Sequence, residues 1–200
     1  DEDGKLGEKT EIKREGTTAY VNIGSRDSSR STLWVDLTKG DLAGSSQVVV
    51  AIPASVAASG GADIVIQGRD FQIRFNPRVF NTTQVYNSRN RDDAGIRFRV
   101  SPLTGTPPAS SGNILSTPYR LEATFYRGSE QTALDKLAQT MSLELKYDLQ
   151  KAQLRRLSQA AVYRYDSLYA RYVPVSAATA GTPAAAINQM GIYSVIGIRR

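Results

Sequence analysis

The chain has 200 residues, no histidine, no cysteine and a formal net charge of +6, from 25 basic and 19 acidic side chains. This length is enough to bury a sizeable hydrophobic core without disulfides. Because imidazole and thiol groups are absent, Ser-His triads, histidine-based acid–base catalysis, cysteine nucleophiles and nearly all zinc sites are excluded.

The N-terminal residues have the composition of a linker. Residues 1–9 are charged and contain glycine, without hydrophobic periodicity, and we expect a flexible start. The chain opens at Asp1 without a leader-type sequence, so we expect a segment of a larger protein with neighbouring domains. No apolar run approaches the ~20 residues that span a bilayer, so membrane insertion is not expected.

Alternation of apolar and polar residues begins after the linker. The pattern at 19–23 and at 33–37 predicts two strands, joined by a polar turn at 26–29.

Residues 47–80 form the most strongly patterned part of the chain. The β-branched run at 48–52 predicts a strand, and a turn of small residues at Gly60 and Gly61 leads to a second strand at 63–67. After Gly68, the aromatic and aliphatic residues at 71–75 alternate with polar ones, which predicts a half-buried antiparallel strand.

A basic strand lies in the middle of the chain between two polar connections. Residues 81–95 lack periodicity and predict a polar loop, whereas 96–100 alternate apolar residues with arginines and predict a strand. Residues 101–118 are rich in Pro, Gly, Ser and Thr, which is typical of a long surface connection.

The remaining patterns are strands with one or two helices among them. Strands are predicted at 121–125, 141–147, 160–166, 170–176 and 191–198. Helical spacing at 133–138 predicts a short helix within 129–140, and a second helix is predicted at 148–159 with Asp148 as its N-cap.

The sequence therefore predicts a mainly β protein, an antiparallel β-sandwich of ten to twelve short strands with one or two short helices. We expect residues 10–200 to form a single sandwich domain. An alternative is two lobes with a boundary near 101–118, where the composition changes.

No residue pattern predicts catalysis. The glycines lie between strands rather than at the start of a helix followed by Lys-Ser/Thr, so they predict turns and not a phosphate loop. The carboxylates near strands alternate outward and predict solvent-exposed groups. We therefore expect a protein that is not an enzyme, without catalytic residues, a cofactor or a metal.

Two groups of side chains could bind a ligand. One is a late set of tyrosines, for which packing and glycan stacking are both open: Tyr147, Tyr163, Tyr165, Tyr169, Tyr172 and Tyr193. The other is a set of arginines, for which a solvated sheet face and a polyanion site are both open: Arg69, Arg74, Arg78, Arg89, Arg91, Arg97 and Arg99. Of these, Arg89, Arg91, Arg97 and Arg99 are the candidate polyanion-binding residues, because two share a strand face and two lie in the loop before it.

The C-terminal third contains two further distinctive stretches. Residues 162–179 are VYRYDSLYARYVPVSAAT and residues 184–197 are AAAINQMGIYSVIG. Together with VVVAIP, DIVIQ, DFQIRFNPRVF and MSLELKYD, they resemble a ZU5-like β module of S-layer-homology-domain proteins of Gram-positive bacteria. The resemblance covers roughly residues 47–200 and implies a β-sandwich. Some ZU5-like proteins cleave themselves at a His-Phe-Ser site, but residues 191–194 are Gly-Ile-Tyr-Ser here, so self-cleavage is not implied.

These observations lead to two functional expectations. The first is a non-catalytic structural or adhesive module of a secreted, S-layer-associated protein at the cell surface or cell wall, whose partners are neighbouring domains and an anionic wall polymer or glycan. The alternative is a carbohydrate-binding or accessory module of a polysaccharide-degrading enzyme. We expect no nucleic-acid partner.

Overall fold

The computed structural model describes residues 9–24, 32–104 and 113–199, and these form a β-sandwich of two mixed sheets. The fourteen strands of these ranges are β1 Glu11–Glu15, β2 Thr18–Asn22, β3 Thr32–Asp36, β4 Gln47–Pro53, β5 Asp63–Gln67, β6 Phe71–Phe75, β7 Ala94–Pro102, β8 Tyr119–Arg127, β9 Glu130–Ala133, β10 Lys136–Leu145, β11 Gln159–Asp166, β12 Arg171–Pro174, β13 Ala184–Gln189 and β14 Gly191–Ile198. The α-helices are α1 Ala54–Ser59, α2 Thr83–Asn87 and α3 Leu149–Leu154, and short 3-10 helices lie at Gly40–Leu42 and Pro77–Phe80.

The large sheet has the order β1-β2-β4-β7-β8-β14-β11-β12, and β9 also pairs with β8. The small sheet has the order β13-β10-β6-β5-β3. Most neighbours are antiparallel, but β2 and β4 are parallel, as are β3 and β5. Because the chain changes sheet at each connection from β2 to β5, alternate strands of this region return to the same sheet in the same direction.

Three phenylalanines join the sheets at the centre of the core. Phe98 of β7 lies 5.5 Å from Phe75 of β6 and 5.5 Å from Phe80 of the second 3-10 helix, measured between ring centroids. Tilted and edge-on contacts of this kind are favourable for aromatic rings. The inner face of the large sheet is thereby packed against the inner face of the small one.

The mainly β class and the strands of the central stretch are confirmed. The β5–β6 hairpin turns at Gly68, as predicted. The first strand of that stretch, β4, belongs instead to the opposite sheet, and α1 connects the two. Helix α1 was not predicted, since its small residues at 54–59 resemble a turn, but Ala54, Val56 and Ala57 are buried.

The helix predicted within 129–140 is wrong, because this segment forms β9 and the first half of β10. The apolar spacing at Ala133, Leu134 and Leu137 fits a helix. In the fold, the Leu134 amide donates to the Ala123 carbonyl at 2.8 Å, and Leu137 is buried from an extended strand. Strand pairing therefore determines the structure of this segment, although its local spacing favours a helix.

Helix α3 is confirmed with its predicted cap, since the Lys151 amide donates to the Asp148 carboxylate at 2.9 Å. It is shorter than predicted and ends at Leu154, just before the left-handed residue Arg156. The polar loop at 81–95 contains the unpredicted α2, and the strands β1 and β13 were also missed. The turn at 26–29, most of the start at 1–9 and residues 105–112 of the surface connection lie outside the described residues.

Tyr193 gives the fold a measurable dependence on alkaline pH. Burial raises the pKa of Tyr193 to about 12, and its hydroxyl donates to the Gln189 carbonyl. Since the pKa of an unfolded tyrosine is about 10, this contribution to stability is complete below about pH 10 and is lost as the pH rises towards the folded value. The expected loss is about 1.4 kcal/mol per pH unit in that window.

We therefore predict that Tyr193→Phe costs about 1 kcal/mol at pH 8, from the lost hydrogen bond, and approaches the wild-type stability near pH 11. Urea unfolding from pH 8 to pH 12 measures this. Tyr169→Phe, at a ring that is 64% exposed, controls for the loss of a hydroxyl. A constant difference between Tyr193→Phe and wild type across this range would contradict the prediction.

Candidate functional site

The outer face of the large sheet carries the exposed arginines of β7. In this strand Ile96, Phe98 and Val100 are buried, and the alternate residues Arg97 and Arg99 are exposed. β7 lies between β4 and β8, with a full antiparallel register on both sides. The two guanidinium groups are therefore presented by a rigid part of the sheet rather than by a loop.

The neighbours of these arginines are mostly small. Arg97 lies opposite Ala51 of β4 and Thr124 of β8, and Arg99 lies opposite Val49 and Glu122. Three of these four flanking side chains are short, so they cover little of the long arginine side chains. Neither guanidinium forms an ion pair with a carboxylate of the described residues.

A glycine makes room for an aromatic ring that orders Arg97. The guanidinium carbon of Arg97 lies 4.8 Å from the centre of the Tyr126 ring. A Cβ atom at Gly95 would stand 2.6 Å from the Tyr126 hydroxyl and 2.6 Å from the Ile52 carbonyl oxygen. Burial raises the pKa of Tyr126, against the opposing effect of the Arg97 charge. Gly95, Tyr126 and Arg97 thus form one stacked unit.

A third arginine and one carboxylate complete the surface. Arg120 and Glu122 project from β8 on the same side, and Arg120 Nη1 lies 3.8 Å from Glu122 Oε1. We call the surface made by Arg97, Arg99, Arg120 and Glu122 the arginine face. It contains three guanidinium groups against one carboxylate, which favours an anionic ligand.

The two predicted loop arginines have other partners. Arg91 makes two hydrogen bonds of 2.8 Å to the Asp93 carboxylate, which hold the pKa of Asp93 below its usual range. Arg89 donates to the Tyr86 carbonyl at 3.0 Å and lies 4.0 Å from the centre of that ring. The structure brings Arg97 and Arg99 together and places Arg89 and Arg91 in separate local contacts.

The remaining arginines of the predicted group lie elsewhere. Arg74 is on the small sheet and pairs with Asp63 at 3.3 Å, whereas Arg78 donates to the Ser59 carbonyl at 2.9 Å. Arg120 and Tyr126 were not among the residues predicted from the sequence. The alternation of β8 places both on one face, but only the β7–β8 register shows that this face adjoins Arg97 and Arg99.

The late tyrosines separate into core and surface groups. Tyr193 is buried in the core, and Tyr169 is exposed in the β11–β12 turn. Tyr165 and Tyr172 lie opposite each other on the outer face, with their ring centroids 5.4 Å apart. Burial raises the pKa of Tyr172. Both residues of this ring pair are half-buried at the surface.

Other kinds of site find no support in the described ranges. No group of three or more Asp or Glu side chains there could hold a metal ion. None of the helices in these ranges is long and apolar enough to cross a membrane.

Comparison with known proteins gives no relative, since no family model, no curated protein and no solved structure matches the chain. Function is therefore inferred from the residues and their geometry.

The stacked unit under Arg97 leads to a prediction for Gly95. A Cβ atom there would meet the Ile52 carbonyl, which is backbone and cannot rotate away. We expect Gly95→Ala to destabilise the fold by about 1–3 kcal/mol in urea unfolding, as other overpacked sites do. Ser101→Ala, on the same side of β7, is the matched control. A Gly95→Ala protein as stable as this control would show that the ring and strand adjust without cost.

Proposed function

We propose that the chain is a non-catalytic adhesive module of a secreted, S-layer-associated bacterial cell-surface protein, and that it contacts an anionic wall polymer through the arginine face. The sequence resemblance to ZU5-like surface modules supports the cellular setting. The exposed guanidinium groups support the chemistry of the partner. The absence of histidine and cysteine from the whole chain agrees with a role in binding.

The observation that carries this proposal is the pair Arg97 and Arg99 on one exposed strand face. Residues two apart on a strand are separated by about 7 Å, so the pair presents two guanidinium groups in a row. Each planar group can hold two oxygens of a phosphate or carboxylate. A linear polymer with regularly spaced anionic groups can therefore engage both arginines at once.

We predict that replacing Arg97 and Arg99 by Ser abolishes retention on immobilised glycerol-phosphate teichoic acid at about 50 mM salt, and that wild-type retention falls steeply towards about 200 mM. The matched control is Arg74→Ser with Arg127→Ser, which removes the same charge at arginines paired with Asp63 and Glu130. The melting temperature should be nearly unchanged in both. Equal loss of retention in the control would indicate a general charge effect and overturn the proposal.

Glu122 provides a second, opposite test. Glu122 lies across from Arg99 in the β7–β8 register, and its carboxylate lies 3.8 Å from the Arg120 guanidinium, so it would compete with an incoming anion. Glu122→Gln keeps the shape of the side chain and removes the charge. We expect this variant to need a higher salt concentration than wild type for elution from the same teichoic acid column. Earlier elution would mean that Glu122 orders the arginines instead of competing for them.

A carbohydrate-binding or accessory module of a polysaccharide-degrading enzyme is the second candidate. The Tyr165–Tyr172 ring pair on the outer face favours it, because planar rings stack on the apolar faces of sugars. Retention on neutral polysaccharide gels that is insensitive to salt would favour this candidate over an anionic partner.

A further inference from the structure

A cleft opens where β8 changes partners. Gly191 of β14 pairs with Leu121, and Ala133 of β9 pairs with Thr124, so the two partner strands meet β8 from the same side and part between these positions. The space between them has a volume of about 420 Å³. We call it the fork cleft.

The backbone holds the fork cleft open. The Leu134 amide donates to the Ala123 carbonyl at 2.8 Å, and the Met190 amide donates to the Asp135 carbonyl at 2.8 Å. Gly191 has a φ of 149°, a conformation that other residues rarely adopt. The first hydrogen bond ties the end of β9 to β8, the second ties the start of β14 to the residues after β9, and β14 itself pairs with β8. The cleft is therefore formed before any ligand arrives.

The lining of the fork cleft combines an aromatic ring, apolar residues, hydrogen-bond donors and hydrogen-bond acceptors. Tyr165 lines one side, and its ring is held by Tyr172 at 5.4 Å. The apolar residues of the lining include Ala123, Met190 and Ile192. The polar ones include Arg120, Glu122, Asp135 and Ser167.

We propose that the fork cleft binds one neutral pyranose unit of a polysaccharide. The apolar C–H face of such a ring suits Tyr165 and Ile192. Its hydroxyls both donate and accept, so they can satisfy the donor-only guanidinium of Arg120 and the acceptor-only carboxylates of Glu122 and Asp135 together. Two carboxylates against one guanidinium disfavour an anionic sugar here. The volume falls within the range of about 300–1,000 Å³ that is usual for small-molecule sites.

The fork cleft adjoins the arginine face, because Arg120 and Glu122 belong to both. A polymer in which a neutral sugar neighbours an anionic group would therefore contact the two together. The inference that the ligand belongs to such a polymer rests on the proposed function. Binding of the sugar itself depends on the fork cleft alone, so the sugar site and the proposed polymer binding can fail separately.

The test is titration of ¹⁵N-labelled protein with maltose, cellobiose and diacetylchitobiose, each to about 10 mM, a range suited to millimolar affinity. At least one disaccharide should shift the amide resonances of Ser167, Gly191 and Ile192 in a saturable way. Tyr165→Ala should abolish these shifts, and Asp135→Asn should weaken binding about tenfold through the loss of a charged acceptor. The Arg97→Ser, Arg99→Ser protein should bind the disaccharide as wild type does.

Asp135→Asn is the deciding variant if Tyr165→Ala fails to fold, since Asp135 is exposed and the change preserves shape. Absence of shifts with all three disaccharides, or shifts that Asp135→Asn leaves unaltered, would overturn the fork cleft as a sugar site. Loss of teichoic acid retention in the arginine variant bears only on the proposed function. Sugar binding without teichoic acid binding would leave the fork cleft intact and refute the arginine face.

Discussion

The contact between Phe98 of β7 and Phe75 of β6, across the two sheets, is the constraint on which the outer surface depends. Side chains of a strand alternate between its faces, so burying Phe98 obliges Arg97 and Arg99 to point away from the core. A shift of one residue in the β7 register would bring both arginines into the sandwich and expose Phe98. The core packing and the arginine face are thus two consequences of one register.

Much of the fold follows from periodicity, because a half-buried strand must alternate. The pattern of β7 predicts its buried and exposed residues, and the cap at Asp148 predicts the start of α3. Which strands pair with each other does not follow from periodicity, because pairing depends on residues that are distant in sequence. Nothing local shows that β4 leaves the sheet of β5 and β6, or that Arg120 and Tyr126 of β8 lie beside the arginines of β7.

Two expectations from the sequence, the helix within 129–140 and the grouping of the loop arginines with those of β7, depart from the structure because of contacts that local spacing does not show. The spacing of Ala133, Leu134 and Leu137 suits a helix, but a short helix has little stability of its own, and pairing of β9 with β8 prevails. In the loop before β7, the sequence places Arg91 near a basic strand, yet it also places Asp93 two residues away. Arg91 and Asp93 form a bidentate pair, so the guanidinium of Arg91 is already bound by a residue of the same loop. Charge density in a sequence therefore overstates the number of arginines that remain available to a ligand.

An open sheet face has a further consequence for affinity. The arginine face is built on paired strands and offers a few charged groups to solvent, so in the proposed complex it would bind any single repeat of a polymer weakly. Neighbouring repeats of the same polymer would raise the effective concentration at the arginine face, so occupancy would grow with polymer length without new kinds of contact. In the proposed complex the fork cleft would supply the specificity that charge does not, because a sugar ring held against Tyr165 would fix the position of one repeat on the arginine face. Electrostatic attraction would then determine how readily the polymer is captured, and the fork cleft would determine which repeat unit is retained.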